Sequence, residues 1–123
     1  MKIGFIGLGR MGYNMTLNLL DHKHQVVGFD YNEDAVIKLS KKGMIRAYEY
    51  DDLISKLPKQ KIVWLMIPSK AVDEALNDLI PLLKKGDIVI DGGNSFYKDS
   101  IRRYDMLKEK GIHFLDCGTS GGI

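Results

Sequence analysis

Several kinds of residue and segment are scarce in this sequence, and each scarcity narrows the class of protein. The 123 residues include a single cysteine, Cys117, which excludes an internal disulfide framework and favours a reducing, cytoplasmic setting. Apolar runs stay well short of the roughly 20 residues that span a bilayer, and the N-terminal stretch 1–7 is too short for a signal-peptide core. We therefore expect a cytoplasmic protein without a membrane partner.

An excess of charge of one sign is also missing. Lys and Arg number 18 against 16 Asp and Glu, which leaves a net charge of +2 at pH 7. The basic residues recur as pairs at 41–42, 84–85 and 102–103, each late in a predicted helix or on its surface. No basic stripe is interleaved with aromatic residues, so nucleic acid is not an expected partner.

Metal ligands and an activated nucleophile are likewise not indicated. His22, His24 and His113 have no metal-ligand spacing to one another or to Cys117, so no metal site is expected. The cysteine has no evident base partner in the sequence, which argues against nucleophilic catalysis.

What the sequence does contain is a regular alternation of short apolar runs with helical patterns. Strands are predicted over 2–7, 25–30, 45–47, 61–67, 87–91 and 112–116. Helices are predicted between them, and Pro81 should kink the helix over 70–85 or begin a second piece. This alternation is typical of a doubly wound parallel sheet with right-handed crossovers, a Rossmann-like three-layer α/β/α arrangement. We expect one domain over residues 1–123.

Three glycines in FIGLGRMG (5–12) lie between the first predicted strand and the first predicted helix. Gly7 would permit a tight turn, Gly9 would let a pyrophosphate approach the backbone, and Gly12 would let the helix pack close to the sheet. The N–H groups at the start of the helix would then bind the phosphates. Because the motif follows a strand and opens a helix, it predicts a dinucleotide site.

Asp30 ends the next predicted strand, at the distance where dinucleotide-binding domains place an acid for the ribose hydroxyls. A 2′-phosphate about 4 Å away would be repelled by on the order of 4 kcal/mol per unit charge. The residues that follow, Tyr31 and Asn32, include no arginine to compensate. This pattern favours NAD over NADP, although a strand-end acid that only caps a turn remains the alternative.

Three stretches narrow the identification: IGLGRMGYNMTLNL (6–19), IDGGNSFYKDSIRR (90–103) and FLDCGTSGG (114–122). Together they resemble the decarboxylating 6-phosphogluconate dehydrogenases of the β-hydroxyacid dehydrogenase superfamily. GLGxMG is shared across that superfamily, whereas DGGNS combined with SGG is more particular to the 6-phosphogluconate branch. Many NADP-using members have Asn-Arg-Thr where this chain has Asp-Tyr-Asn at 30–32. In this respect the chain resembles the NAD-using subgroup.

The resemblance implies an oxidoreductase of the pentose phosphate pathway and of gluconate use. Such enzymes oxidise C3 of 6-phosphogluconate, pass hydride to the nicotinamide and release CO₂, leaving ribulose 5-phosphate. They are usually homodimers, in which a helical domain after the dinucleotide domain supplies much of the substrate pocket. The lysine base and the glutamate acid lie after SGG, so no catalytic residue is expected within this chain, which should bind NAD without turnover.

Matched position by position, the resemblance also implies a set of site residues. The implied cofactor-binding residues are Gly7, Leu8, Gly9, Arg10, Met11, Gly12, Asp30, Ile67, Pro68, Ser69 and Asn94. The implied substrate-binding residues are Asn94, Ser120, Gly121 and Gly122.

Two other functions remain open at this point. Another β-hydroxyacid dehydrogenase, of the 3-hydroxyisobutyrate type, would share GLGxMG but should lack DGGNS. A non-enzymatic nucleotide-sensing module, like those attached to potassium transport systems, would share GxGxxG and the acid but would have no reason to contain DGGN and SGG.

Overall fold

A computed structural model describes residues 1–93 and 95–118 of the chain. Its strands are β1 (Lys2–Ile6), β2 (Gln25–Phe29), β3 (Ile45–Arg46), β4 (Ile62–Leu65), β5 (Ile88–Asp91) and β6 (His113–Asp116). Its helices are α1 (Arg10–Asp21), α2 (Glu33–Ser40), α3 (Tyr50–Ser55), α4 (Ser69–Leu79) and α5 (Tyr97–Glu109), with a 3₁₀ turn at Ile80–Leu82. None of the helices in these described ranges is long and apolar enough to cross a membrane.

The strands form one sheet in the order β3-β2-β1-β4-β5-β6, and every neighbouring pair is parallel. Phe5 of β1 is paired with Gly28 on one side and Trp64 on the other. The chain therefore reverses its direction of travel across the sheet between β1 and β4, which is where ligands of such sheets bind. The predicted Rossmann-like α/β fold is confirmed.

Each face of the sheet is covered by its own apolar cluster, because successive strand side chains point to opposite faces. On one face, Phe5 and Val26 pack with Val36 and Leu39 of α2. On the other, strand residues such as Val63 and Val89 pack with residues of α3, α4 and α5, including Leu53, Leu76 and Leu107. These two clusters make the three layers.

The helix ends follow the local sequence signals. Asn32 caps α2 by accepting a hydrogen bond from Asp34 N at 3.0 Å. Gly43 has φ +109°, and Met44 N donates to Leu39 O at 3.1 Å, so the chain leaves α2 through a glycine turn. The predicted second piece at Pro81 is the 3₁₀ turn, since α4 ends at Leu79.

In β4, Val63 and Leu65 are buried in one cluster, while the half-buried Trp64 packs against the cluster on the other face. The tertiary packing corrects one expectation about burial. The basic pair at 102–103 was expected on a helix surface, but the Arg103 side chain is only 2% exposed. Arg103 lies under α4 rather than in solvent because its guanidinium meets Asp73 there.

Candidate functional site

The turn between β1 and α1 depends on Gly7. This residue has φ +100°, a conformation that L side chains rarely adopt, and its N–H donates to Phe29 O at 3.0 Å. A Cβ placed on Gly7 would also collide with the carbonyl oxygen of Met66 on the neighbouring strand end. The first glycine is therefore required both by the turn and by its close contact with the chain after β4.

Gly9 and Gly12 differ in their surroundings. Gly9 is the N-cap of α1 in an extended conformation, and a Cβ built on it would meet no atom within 4 Å. A Cβ on Gly12 would collide with the carbonyl oxygen of Gly7. Gly12 thus lets α1 approach the β1 end, while Gly9 faces open space beside the first N–H groups of the helix. Those groups lack intrahelical acceptors and lie at the positive end of the helix dipole.

Asp30 connects the glycine turn to the end of β2. Its Oδ2 accepts a hydrogen bond from Leu8 N at 2.5 Å, and its Oδ1 accepts one from Asn32 N at 2.8 Å. The carboxylate therefore does cap a turn, but each of its oxygens has a second lone pair. Capping the turn and accepting from a ligand hydroxyl are compatible roles for this half-buried side chain.

A cavity of about 340 Å³ opens at the carboxyl ends of β1, β2 and β4, within the range of roughly 300 to 1,000 Å³ typical of small-molecule sites. Among the residues predicted from sequence, its wall includes Gly7, Gly9, Asp30, Ile67 and Pro68. Residues from segments distant in sequence are thus brought to one edge of the sheet.

The other predicted residues that the structure describes do not line this cavity. Leu8 is 2% exposed and packs in the core, and Gly12 lies against Gly7. Arg10 is exposed and Met11 half-buried at the start of α1, while Ser69 begins α4. Asn94, Ser120, Gly121 and Gly122 fall outside the described residues.

The outer part of the cavity is aromatic and acidic, which sequence reasoning missed. Tyr31 and Tyr50 line it together with Glu74 and Asp78 of α4. Burial raises the pKa of Tyr50 well above its ordinary value, and Tyr31 and the two acids raise it further. The Tyr50 hydroxyl therefore stays protonated. The acids follow an ordinary amphipathic helix pattern, so only the packing of α4 beside β4 places them here.

A second cavity of about 370 Å³ adjoins Asp30 and contains an arginine that the local sequence did not reveal. Arg46, at the end of β3, lies with its guanidinium carbon 4.4 Å from the centre of the Tyr48 ring. Its Nη2 is 2.8 Å from Glu33 Oε1. The expectation concerned Tyr31 and Asn32, which include no arginine; the fold brings Arg46 to the cavity from a segment more distant in the sequence. The sequence did offer a signal for Arg46, because it lies in the predicted strand 45–47. The carboxyl end of that strand lies at the same edge of the parallel sheet as Asp30.

The described residues of the DGGNS motif lie at the end of β5 and directly after it. Asp91 is fully buried; its Oδ1 accepts from Gly93 N at 3.0 Å and its Oδ2 from Ser95 Oγ at 2.5 Å. A Cβ on Gly92 would collide with Trp64 Nε1, and one on Gly93 would lie 2.8 Å from Ile67 O. These glycines therefore allow the turn to press against β4 and the chain that follows it.

The comparisons with known proteins agree with this geometry. A family model described as the NAD binding domain of 6-phosphogluconate dehydrogenase matches residues 2–123. The Bacillus subtilis protein YqeC, named as a candidate 6-phosphogluconate dehydrogenase, is 51% identical over 100% of this chain and 41% of its own length. A second Bacillus subtilis protein, the NAD(+)-dependent decarboxylating 6-phosphogluconate dehydrogenase, is 43% identical over 98% of this chain and 27% of its own length.

Among solved structures, the Plasmodium falciparum 6-phosphogluconate dehydrogenase is similar with a TM-score of 0.87 and 33% identity. The match covers 99% of this chain and 28% of that one, which was solved with NADP+ as its cofactor. The chain thus spans well under half the length of each of these relatives.

Proposed function

Because this chain belongs to the family of NAD-binding domains of 6-phosphogluconate dehydrogenase, we propose that it binds NAD for an oxidoreductase that converts 6-phosphogluconate to ribulose 5-phosphate and CO₂. When bound, the dinucleotide supplies the hydride acceptor. The residues of this chain bind and orient it at the carboxyl edge of the sheet. No lysine base or glutamate acid is assigned within residues 1–123.

One observation supports the proposal most directly: Gly9 of the glycine turn and Asp30 at the end of β2 line the same cavity. The open space at Gly9 leaves room for a pyrophosphate against the N-terminus of α1. The carboxylate of Asp30, already oriented by Leu8 N and Asn32 N, has acceptor capacity left for ribose hydroxyls. The donor set and the shape of this edge therefore fit a dinucleotide.

The nicotinamide end is assigned to the other side of the cavity. Ile67 and Pro68 line it after β4, and Gly93 of the DGGNS motif packs against Ile67. We assign Asn94 to both nicotinamide and substrate, and Ser120, Gly121 and Gly122 to substrate, on the family resemblance alone. A Ser-Gly-Gly segment offers a hydroxyl and backbone N–H groups to a hydroxylated anion.

The charges around Asp30 support NAD rather than NADP. A 2′-phosphate bound beside Asp30 would meet a carboxylate, and the nearby Arg46 is already paired with Glu33 at 2.8 Å. The carboxylate of Glu33 offsets the charge of Arg46, so these two side chains together present no net charge to a phosphate. The chain therefore disfavours the additional phosphate by one uncompensated negative charge.

We further propose that the helical domain typical of the family supplies the lysine base, the glutamate acid and most of the substrate pocket, in a homodimer. A general base and a general acid each contribute about 10² to 10⁴-fold to a rate. The 123-residue chain by itself should therefore bind NAD without oxidising 6-phosphogluconate.

The test is calorimetric titration of the chain with NAD and with NADP. NAD should bind at least about tenfold more tightly, and Asp30→Ala should narrow that ratio because the repelling charge is removed. Asp21→Ala removes an equal charge at the far end of α1 and serves as the control, with the ratio unchanged. Tighter binding of NADP by the parent chain would contradict the cofactor assignment, and absence of binding of either would contradict the function.

Catalysis is tested by following NADH absorbance with 6-phosphogluconate and NAD. The NAD(+)-dependent Bacillus subtilis relative serves as the positive control. Turnover by the 123-residue chain at a comparable rate would show that the catalytic groups lie within it, contrary to the proposal.

A further inference from the structure

Among the described residues, Arg103 of α5 is the largest fully buried side chain, although the sequence of this helix is mostly polar. It is 2% exposed, and charged groups are buried at this level only when they are paired. Its Nε donates to Asp73 Oδ1 at 2.9 Å, and its Nη2 donates to the carbonyl oxygen of Ser69 at 3.3 Å. This side of the guanidinium therefore holds the first turns of α4.

The third guanidinium nitrogen reaches the turn after β5. Arg103 Nη1 donates to Ser95 Oγ at 3.1 Å and lies 3.8 Å from Asp91 Oδ2. Asp91 in turn accepts from Gly93 N and from Ser95 Oγ, the residues on either side of position 94. One buried arginine thus links the start of α4 to a buried carboxylate that accepts hydrogen bonds from Gly93 and Ser95.

We propose that Arg103 is a positioning residue that sets the nicotinamide end of the cofactor site by holding Ser95, and through Asp91 also Gly93, in place relative to the Ile67–Ser69 segment. The inference rests on the proposed function, because it assigns those two segments to the nicotinamide half. The adenosine half is built from Asp30, Tyr31 and the glycine turn, which Arg103 does not contact. Arg103 should therefore affect the two halves of the dinucleotide unequally.

The geometry requires an arginine rather than a positive charge alone. A guanidinium presents its donors in a planar fork, so it can bond α4 on one side and the β5 turn on the other. A lysine at this position has a compact ammonium on a shorter side chain, so it cannot hydrogen-bond to α4 and to Ser95 at the same time. Arg103→Lys keeps the charge that balances Asp91 and Asp73 while releasing one of the two segments.

The experiment uses the 123-residue chain and two probes, ADP-ribose and NADH. ADP-ribose has the adenosine, pyrophosphate and second ribose but no nicotinamide. Arg103→Lys should leave ADP-ribose affinity within about twofold, while NADH affinity falls at least about fivefold and the fluorescence enhancement of bound NADH at saturation decreases. Arg102→Lys is the matched control. Arg102 lies next to Arg103 on α5 and also pairs with Asp73, but it is 51% exposed, so the variant should leave the affinity for both probes unchanged.

Ser95→Ala gives a second, milder test, since it removes the hydroxyl between Arg103 and Asp91 without touching the pairing with Asp73. It should change NADH binding in the same direction with ADP-ribose binding intact. Equal losses for both probes, or no loss for either, in both variants would overturn the positioning role. Failure of the parent chain to bind ADP-ribose would instead overturn the proposed function, and the inference with it.

Discussion

The fingerprint glycines allow a prediction that separates folding from binding. Gly9→Ala should leave the stability of the chain nearly unchanged but weaken NAD binding, whereas Gly12→Ala should mainly destabilise the fold. The reason lies in what a methyl group would meet. At Gly9 it would meet no atom within 4 Å, and at Gly12 it would collide with the backbone carbonyl of Gly7.

The magnitudes follow from these surroundings. Gly9 has φ −67° and ψ −171°, which alanine adopts without strain. The entropy gain of about 0.4 to 1 kcal/mol from replacing glycine offsets the loss of a favoured N-cap residue, so the free energy of unfolding should change by less than about 1 kcal/mol. Its methyl would displace a phosphate from the helix N-terminus, and losing about 2 kcal/mol of charge-assisted hydrogen bonding corresponds to about a 30-fold weaker affinity.

At Gly12 the colliding atom belongs to the backbone and cannot move aside as a flexible side chain would. Overpacking of this kind typically costs about 1 to 3 kcal/mol. A cost of about 2 kcal/mol should lower the melting temperature by roughly 8 °C in a domain of this size.

Thermal unfolding of the free chain and calorimetric titration with NAD measure both quantities on the same preparations. The reasoning is refuted if Gly9→Ala binds NAD within about twofold of the parent, or if it lowers the melting temperature as much as Gly12→Ala does.

Three further predictions concern charge and core packing. Asp73, whose pKa is lowered from 3.8 to about 2 chiefly by its hydrogen bonds with Arg103 and Arg102, stabilises the fold above pH 4, and this contribution is lost as the pH falls from about 4 to 2. Asp73→Asn should therefore cost about 1 kcal/mol at pH 7, discounted because the carboxylate is 46% exposed. In urea titrations the difference from the parent should shrink as the pH falls below 4 and vanish only below about pH 2. Glu33→Gln should tighten NADP binding by about threefold in calorimetry by freeing the guanidinium of Arg46, with NAD affinity as the unchanged reference. Leu76→Ala should lower the free energy of unfolding by about 2 to 5 kcal/mol in urea, since Leu76 is 0% exposed, and a loss below 1 kcal/mol would contradict its place in the core.

The chemistry of the cofactor edge could be anticipated because its signals are local. Gly7 must adopt a positive φ in a strand-to-helix turn, and Asp30 must end a strand, and both requirements are visible as residue types at fixed positions along the chain. Periodicity predicted every strand of the observed sheet, with bounds that differ by one or two residues, since strand ends depend on pairing rather than on pattern.

What the sequence by itself determined, then, is the alternation of elements and the glycine turn, because both follow from local residue patterns. The parallel sheet follows from that alternation, since each helix returns the chain so that the next strand runs parallel to the last. Only the tertiary structure decided that Arg103 is buried rather than solvated, and that Arg46 lies beside Asp30. Arg103 meets its partner Asp73 across 30 positions of sequence, and Arg46 reaches Glu33 across 13. A charged residue in a helix has the same local pattern whether water or a distant carboxylate satisfies it. Its burial is therefore decided by which helices and strand ends pack against one another.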